Sequence, residues 1–241
     1  TLPAGTTDAQ TVTVNAVNDN TAENASHNCV ITTGDPISGD AFYDALTAND
    51  LPDVNVTVLD NDAAFLVSAS AGVTEGTGSN TTVTFTVTPG GAIANVGGTL
   101  SYSVIDTSGT TTGDDFTAAL PSNTLTFAAG SGAQTVDVIV IGDAIDEANF
   151  TLQFAVTGST SGVNGTPSVS GAPADIIVSD DDSAGFALGL VTATITEGEN
   201  TSYTLRLNTQ PTGNVVLNLA ASPSDQCSVN SPVTLDASNW N

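Results

Sequence analysis

Apolar and polar residues alternate along most of this chain, so that every second side chain is apolar. The pattern is clearest in "TVTFTVTP" (82–89), "LSYSVID" (100–106), "TVDVIVIGD" (135–143), "FTLQFAV" (150–156) and "SYTLRLN" (202–208). A period of two predicts antiparallel strands that are buried on one face only. Turn signals such as "TPGG" and "NGTP" separate the stretches, and none of them shows a convincing helical period. We therefore predict an all-β chain whose sheets pack face to face as β-sandwiches.

The sequence repeats itself at an offset of about 120 residues. Residues 73–89 match 195–211, residues 54–65 match 174–186, and residues 11–23 match 135–147, with Glu197 in the place of Glu75. These matches predict one complete sandwich over residues 63–182. Residues 1–62 carry only the second half of such a unit, and residues 183–241 carry only the first half.

The two flanking halves together amount to one more unit, split across the chain ends. Two explanations stay open: a tandem array within one long polypeptide, or separate chains that complete each other's split sandwich by strand exchange. Both predict that the partners of this chain are other copies, arranged head to tail. Two independently stable half-sandwiches are the third explanation, but they would leave open sheet edges and half a core each.

The two cysteines bear on this arrangement. Cys29 and Cys227 lie in different half-units of one chain, but in the same unit once the halves of two copies are joined. We therefore expect a disulfide between copies, which requires an oxidising compartment. Two buried free thiols are the alternative.

The charge balance limits the partners of the chain. It has 26 acidic residues, no lysine and one arginine, and its formal net charge is −25. Such a chain is a poor partner for nucleic acid or for an anionic membrane surface, and no apolar run approaches the roughly 20 residues that span a bilayer. Cations are the natural counter-charge, although an acidic surface also suits high salt. Six sequons are candidate N-glycosylation sites: Asn24, Asn55, Asn80, Asn149, Asn164 and Asn200.

Runs of aspartate stand at the ends of two predicted strands, in "SDDDSAGF" (179–186) and "LDNDAAF" (59–65). Two carboxylates 4 Å apart repel by about 4 kcal/mol at an effective dielectric constant near 20. The runs must therefore either be fully hydrated or hold a cation.

Four elements in this order resemble the Calx-beta repeat family: "TEG" (74–76), "GDDF" (113–116), "LTFAAGSGAQTVDVIVIGDAIDE" (125–147) and "DDD" (180–182). The resemblance implies Calx-beta or immunoglobulin-like sandwiches that bind Ca²⁺ at one end. Matched by position, the implied ligands of the complete unit are Glu75, Asp115, Asp143, Glu147, Asp180, Asp181 and Asp182. Those of the split unit are Glu197, Asp19, Glu23, Asp60 and Asp62. The alternative is that these are solvated turn residues, since aspartate favours turns.

The inventory of catalytic groups is poor, because His27 is the only histidine and has no evident triad partners. We expect no enzyme activity. The resemblance and the split repeat predict a structural repeat unit of a calcium-stiffened fibre, stalk or adhesin-like array, extracellular or at the cell surface. The alternative is a Ca²⁺-sensing regulatory module as in ion exchangers. Calcium affinity separates the two, because extracellular modules bind at roughly 10⁻⁴–10⁻³ M and sensors bind near micromolar.

Overall fold

The computed structural model describes residues 9–19, 21, 23, 26–111, 114–162, 166–189 and 192–241. The strands are β1 (Ser26–Ile31), β2 (Val54–Leu59), β3 (Ala63–Ala69), β4 (Val73–Thr74), β5 (Thr81–Gly91), β6 (Gly98–Asp106), β7 (Ser122–Phe127), β8 (Gln134–Val140), β9 (Phe150–Ser161), β10 (Ser168–Ser170), β11 (Ala174–Ser179), β12 (Phe186–Leu188), β13 (Leu205–Leu207), β14 (Val215–Leu217) and β15 (Val233–Leu235). Two single-turn helices, α1 (Ala41–Asp44) and α2 (Ile93–Val96), and a 3-10 turn (Ala48–Asp50) lie between strands. The prediction of an all-β chain is confirmed.

Strands β3 to β11 form two facing sheets, which we call the central sandwich. One sheet has the order β10-β3-β5-β8 and the other the order β4-β11-β9-β6-β7. All pairs are antiparallel except β10 with β3 and β4 with β11. The alternation of the sequence produces this architecture because one side chain in two points inward from each sheet.

The core of the central sandwich is aromatic at its centre. The ring of Phe154 stacks on that of Tyr102 at a centroid distance of 4.8 Å and lies 5.5 Å from the ring of Phe85. Phe65 and Phe127 form a second pair at 5.3 Å. These side chains come from both sheets, so that they join the two layers through one continuous apolar core.

The flanking segments form only two-stranded pairs. Within the described residues, β1 pairs with β2, β12 with β13, and β14 with β15. The strand predicted at 202–208 is shorter in the structure, where only Leu205–Leu207 forms strand hydrogen bonds and Tyr203 is exposed. An isolated two-stranded pair is at best marginally stable in water. The pairs β12–β13 and β14–β15 bury Leu207 and Leu235 but leave Phe186 and Leu188 more than half exposed.

Among the described residues, no helix is long and apolar enough to span a bilayer. The division into one complete and one split unit stays a prediction.

Candidate metal centre

The seven carboxylates predicted for the complete unit all belong to loops. Glu75 follows β4, Asp115 lies between β6 and β7, and the remaining five follow β8 or β11. Strands β4 and β11 run parallel as neighbours, so the loops that follow them leave the sheet at the same end. The end of β8 pairs with the start of β5, and the loop after β4 leads into that start. The loop after β8 therefore lies beside the loop after β4. The structure therefore brings these loops to one end of the central sandwich, which we call the acidic pole.

Backbone hydrogen bonds tie the loops of the acidic pole together. The amide of Glu75 donates to the carbonyl of Ser179 at 2.9 Å, and the amide of Gly78 donates to the carbonyl of Gly142 at 3.0 Å. The amide of Ile141 donates to the carbonyl of Asp115 at 2.9 Å. The backbone that carries the carboxylates is thus held in place by the sheets.

Gly142 is required at this pole by close approach. A β-carbon at this position would overlap the carbonyl oxygens of Gly76 and Ser79 and would lie 2.8 Å from that of Glu75. Only glycine lets the loop after β8 reach the loop after β4 so closely. This contact brings Glu75 beside Asp143, whose backbone amide donates a hydrogen bond to the Glu75 carboxylate.

The aspartates after β11 are partly held by hydrogen bonds. Oδ1 of Asp181 accepts from the amide of Gly76 at 3.0 Å, and Oδ1 of Asp180 accepts from the amide of Asp182 at 3.4 Å. The amide of Asp180 donates to Oδ1 of Asn149 at 2.9 Å. These contacts fix the direction in which the run "DDD" leaves the sheet.

Burial and mutual repulsion disfavour the charged forms of three carboxyl groups. Glu75 is only 4% exposed, and burial raises its pKa to about 7, with repulsion from Asp143, Asp180 and Asp115 adding to the shift. Burial likewise raises the pKa of Glu147 to about 7, with repulsion from Asp115, Asp143 and Glu75. Burial and then repulsion from Asp180 and Asp181 raise the pKa of Asp182.

The chain offers this pole little positive charge. It has no lysine, and its only arginine, Arg206, lies on β13 opposite Ala187. Among the described residues, the basic side chain that lies against a carboxylate is His27, whose Nε2 is 2.9 Å from Oε2 of Glu23 in the N-terminal segment. The repulsion within the acidic pole is therefore left for a bound cation or for protons to relieve.

The side chains of the acidic pole do not form a ready coordination shell. Among the described residues, no three His, Cys, Asp or Glu side chains converge tightly enough to hold one ion. The carboxylates are nevertheless close enough for their charges to shift each other's pKa. The donor set is made of carboxylate oxygens, which suit a hard cation such as Ca²⁺ and not a soft one.

The predicted ligands of the split unit are divided. Asp19, Glu23, Asp60 and Asp62 belong to the N-terminal segment, where the amide of Glu23 donates to Oδ2 of Asp60 at 2.8 Å. Burial, then repulsion from Asp60 and Asp19, raises the pKa of Asp62. Glu197 is exposed in the C-terminal segment, and no strand pair or backbone hydrogen bond of the described residues joins that segment to the other four.

Sequence reasoning missed several groups that support the acidic pole. Asn149 was considered only as a sequon, yet its side chain accepts from Asp180, and Oδ2 of Asp146 accepts from the amide of Ala184 at 2.8 Å. The side chain of Thr77 hydrogen-bonds Asp182. The only signal in the sequence was that Asp146 and Asn149 lie in the loop that already contains Asp143 and Glu147.

The two cysteines and the four described sequon asparagines lie at the surface. Cys29 on β1 and Cys227 between β14 and β15 are exposed free thiols. Asn55, Asn80, Asn149 and Asn200 are exposed, while Asn24 and Asn164 lie outside the described residues. The disulfide between copies and the glycans therefore stay predictions.

Comparison with known proteins gives structural neighbours only. No family model matches the chain, and no curated protein matches it. The solved structures that it resembles include calcium-binding domains of Calx. The apo form of the Calx CBD1 domain is 22% identical, with 49% of this chain and 99% of that chain covered and a TM-score of 0.38.

A second neighbour, CBD12 from CALX1.2, is also 22% identical and has a TM-score of 0.38, with 71% of this chain and 70% of that chain covered. The Calx CBD2 domain is 10% identical, with 48% and 86% covered and a TM-score of 0.36. These neighbours agree with the resemblance seen in the sequence. The likeness is too distant to add an argument about function.

Proposed function

We propose that the chain is a calcium-binding β-sandwich module that holds Ca²⁺ at the acidic pole. The observation that carries the proposal is the pair Glu75 and Glu147, which the fold desolvates among other carboxylates without supplying a lysine or arginine. Such an arrangement costs stability unless a cation joins it. A divalent cation removes the repulsion among all its ligands at once.

The seven carboxylates exceed what one Ca²⁺ needs, since the ion takes six to eight oxygens and some carboxylates are bidentate. We therefore propose more than one ion with shared carboxylates, the ligands being the seven residues predicted for the complete unit. Binding would draw the side chains together by rotamer changes, because the loop backbone already lies in place through its contacts with β8 and β11. The calcium would neutralise the carboxylate charges, and the loops would hold the carboxylates in place around it.

For the role of the ion, a calcium-responsive module is our first candidate. The acidic pole contacts the segment that follows it: the amide of Ala184 donates to Asp146, and the amide of Gln210 donates to the carbonyl of Ala144 at 2.7 Å. A change in the conformation of the pole would therefore reach β12 and β13 directly.

The second candidate is the calcium-stiffened extracellular array. It is supported by the split repeat and by the same contacts at Ala184 and Gln210, which an ion would make rigid. The extracellular or surface location, the glycans and the absence of enzyme activity belong to this proposal as well. A dissociation constant near micromolar favours the responsive module, and one of roughly 10⁻⁴–10⁻³ M favours the array.

The test is a calcium titration of the full chain by calorimetry and thermal melting, with the variant Glu147→Gln. At a calcium concentration of about 100 times Kd, the wild type gains about 2.7 kcal/mol of stability. Glu147→Gln removes a repelling charge, so that the calcium-free variant is as stable as the wild type or more so. It binds calcium at least tenfold more weakly.

The matched control is Asp175→Asn, an exposed carboxyl on β11 that accepts a hydrogen bond from Gln153 away from the acidic pole. It keeps wild-type calcium affinity. A melting temperature that does not respond to millimolar calcium at low salt would refute the proposal. Loss of stability in calcium-free Glu147→Gln would show that the carboxyl group has a packing role instead.

A further inference from the structure

The C-terminal segment contains an apolar groove between its two strand pairs. The groove has a volume of about 240 Å³, and its walls come from β12 and β13 on one side and from β14 and the residues after it on the other. The lining side chains are Phe186, Leu188, Tyr203, Leu205, Leu217 and Leu219. Within the described part of the chain, no third element covers the groove.

The internal repeat identifies this groove as the inside of a sandwich. Phe186 corresponds to Phe65, which is completely buried in the central sandwich, yet Phe186 is 57% exposed. Leu205 corresponds to Val83, which is also completely buried, yet Leu205 is only half-buried. A repeat unit that cannot bury its apolar face alone buries it against a neighbour.

The N-terminal segment carries strands of the kind that the groove lacks. Strand β1 pairs with β2 in the same antiparallel way as β9 pairs with β11, with Ile31 opposite Val54 where the central sandwich has Phe154 opposite Ala174. In the central sandwich, β9 also pairs with β6 along its other edge. The counterpart of β6 in the C-terminal segment is β14, which follows β13 and pairs with β15 as β6 follows β5 and pairs with β7. The corresponding edge of β1 has no strand partner among the described residues.

Residues 11–14, "TVTV", lack a partner in the same way. By the repeat, Val12 and Val14 correspond to Val136 and Val138 of β8, which are buried and whose strand pairs with β5. Val12 is 81% exposed, and residues 11–14 form no strand. The counterpart of β5 in the C-terminal segment is β13, and its only strand partner in the described residues is β12.

We propose that a second copy of this chain fills the groove, with its β1 pairing with β14 and its residues 11–14 pairing with β13. The result repeats the order of seven of the nine strands of the central sandwich, all except β4 and β10, with β2 outside β1 as β11 is outside β9. No strand pair of the described residues joins the two flanking segments of one chain. Within the described part of the chain, each copy offers one open groove and one set of strands without a partner sheet, so that the contact runs head to tail and does not close on itself.

The cysteines agree with this arrangement. In the pairing of β1 with β2, Cys29 has the position that Leu152 has in the pairing of β9 with β11. This position is two residues after the one that corresponds to Phe150. In the central sandwich, Phe116 from the connection between β6 and β7 packs on Phe150 at a ring distance of 5.7 Å. Cys227 lies in the equivalent connection between β14 and β15. Docking thus brings Cys29 of one copy towards Cys227 of the next.

The test uses two full-length variants that are defective at opposite ends. Leu217→Asp places a charge in the groove, and Val14→Asp places one on the incoming strand. Each variant alone is monomeric in reducing sedimentation experiments, while the wild type forms larger species as its concentration rises. An equimolar mixture of the two variants forms dimers and nothing larger, because one intact groove meets one intact set of strands.

The matched controls are Val216→Asp and Thr13→Asp, which place the same charge on the opposite faces of the same segments, where Val216 and Thr13 are exposed. Both controls assemble as the wild type does. In the mixture, the dimer forms a Cys29–Cys227 bond between chains under oxidising conditions.

Three results would overturn the proposal: a mixture that stays monomeric, single variants that assemble like the wild type, or a monomeric wild type. In the last case, a Cys29–Cys227 bond within one chain would show that the chain fills its own groove. The proposal does not depend on calcium, so the measurements are made both with calcium and with chelator. Assembly that is unchanged by chelator would support the proposed contact between copies, even if the acidic pole bound no ion.

Discussion

At the scale of single residues, Glu75 shows how the fold changes the meaning of a sequence position. In the motif "TEG" it is one acidic residue among 26. In the structure it is buried next to Asp143, and a proton or a cation becomes more favourable there than the bare charge. The positions of the pole carboxylates followed from the motifs, but the desolvation of Glu75 and Glu147 could not, because it depends on which loops cover them.

The raised pKa values predict how the stability of the calcium-free chain depends on pH. The folded pKa of Glu75 and Glu147 is about 7 and the ordinary value is 4.5, so the folded state binds more protons between these values. The stabilisation is complete below pH 4.5 and is lost as the pH rises through 7. We expect a higher melting temperature at about pH 5.5 than at about pH 8 in chelator.

Calcium should raise the melting temperature more at about pH 8 than at about pH 5.5, because the ion competes with the protons for the same carboxylates. The variant Glu147→Gln provides the control, since it removes one of the two titrating groups and flattens the pH dependence. A calcium-free chain whose melting temperature rises between these two pH values would contradict the prediction.

At the scale of elements, the acidic pole depends on the contact between the loops after β4 and β8. Gly142→Ala forces a methyl group against the carbonyl oxygens of Gly76 and Ser79. We expect a loss of about 1–3 kcal/mol in the free energy of unfolding, measured with denaturant, together with weaker calcium binding.

Gly158→Ala is the comparison for this substitution. Gly158 lies in β9, and a β-carbon built there would have no atom within 4 Å. Its free energy of unfolding should stay close to that of the wild type. Equal effects of the two substitutions would mean that Gly142 matters only through backbone flexibility.

Strand register shows where sequence pattern alone is insufficient. Phe65 pairs with Pro89 in the central sandwich, but its counterpart Phe186 pairs with Leu207 and not with Pro211. Register is strongly specified only where one face of a strand is buried. The core holds β3 against β5, whereas the open groove leaves β12 and β13 without that constraint.

At the scale of the whole molecule, the net charge of −25 opposes compaction. Sodium chloride should raise the melting temperature gradually in chelator, because about 1 M salt shortens the screening length from about 10 Å at 0.1 M to about 3 Å. Calcium should act differently, since the proposal places its binding at the acidic pole. We expect millimolar CaCl₂ to raise the melting temperature further at constant ionic strength.

MgCl₂ at the same concentration separates specific binding from general screening. Mg²⁺ demands a near-ideal octahedral site and gives up its waters reluctantly, so it should raise the melting temperature less than Ca²⁺ does. Equal shifts with the two ions would indicate a surface adapted to high ionic strength and no calcium site.

The sequence pattern alone predicts the all-β class, the strands β5, β6, β8 and β9 of the central sandwich, and the loops that carry the carboxylates. These follow from local chemistry: alternation selects strands, and glycine, proline and aspartate select turns. The tertiary contacts set the rest: which carboxyl groups lose water, the close approach of two loops at Gly142, and the open groove of the C-terminal segment. These properties arise from contacts between residues that are distant in the chain, and no local pattern encodes which surfaces those contacts cover.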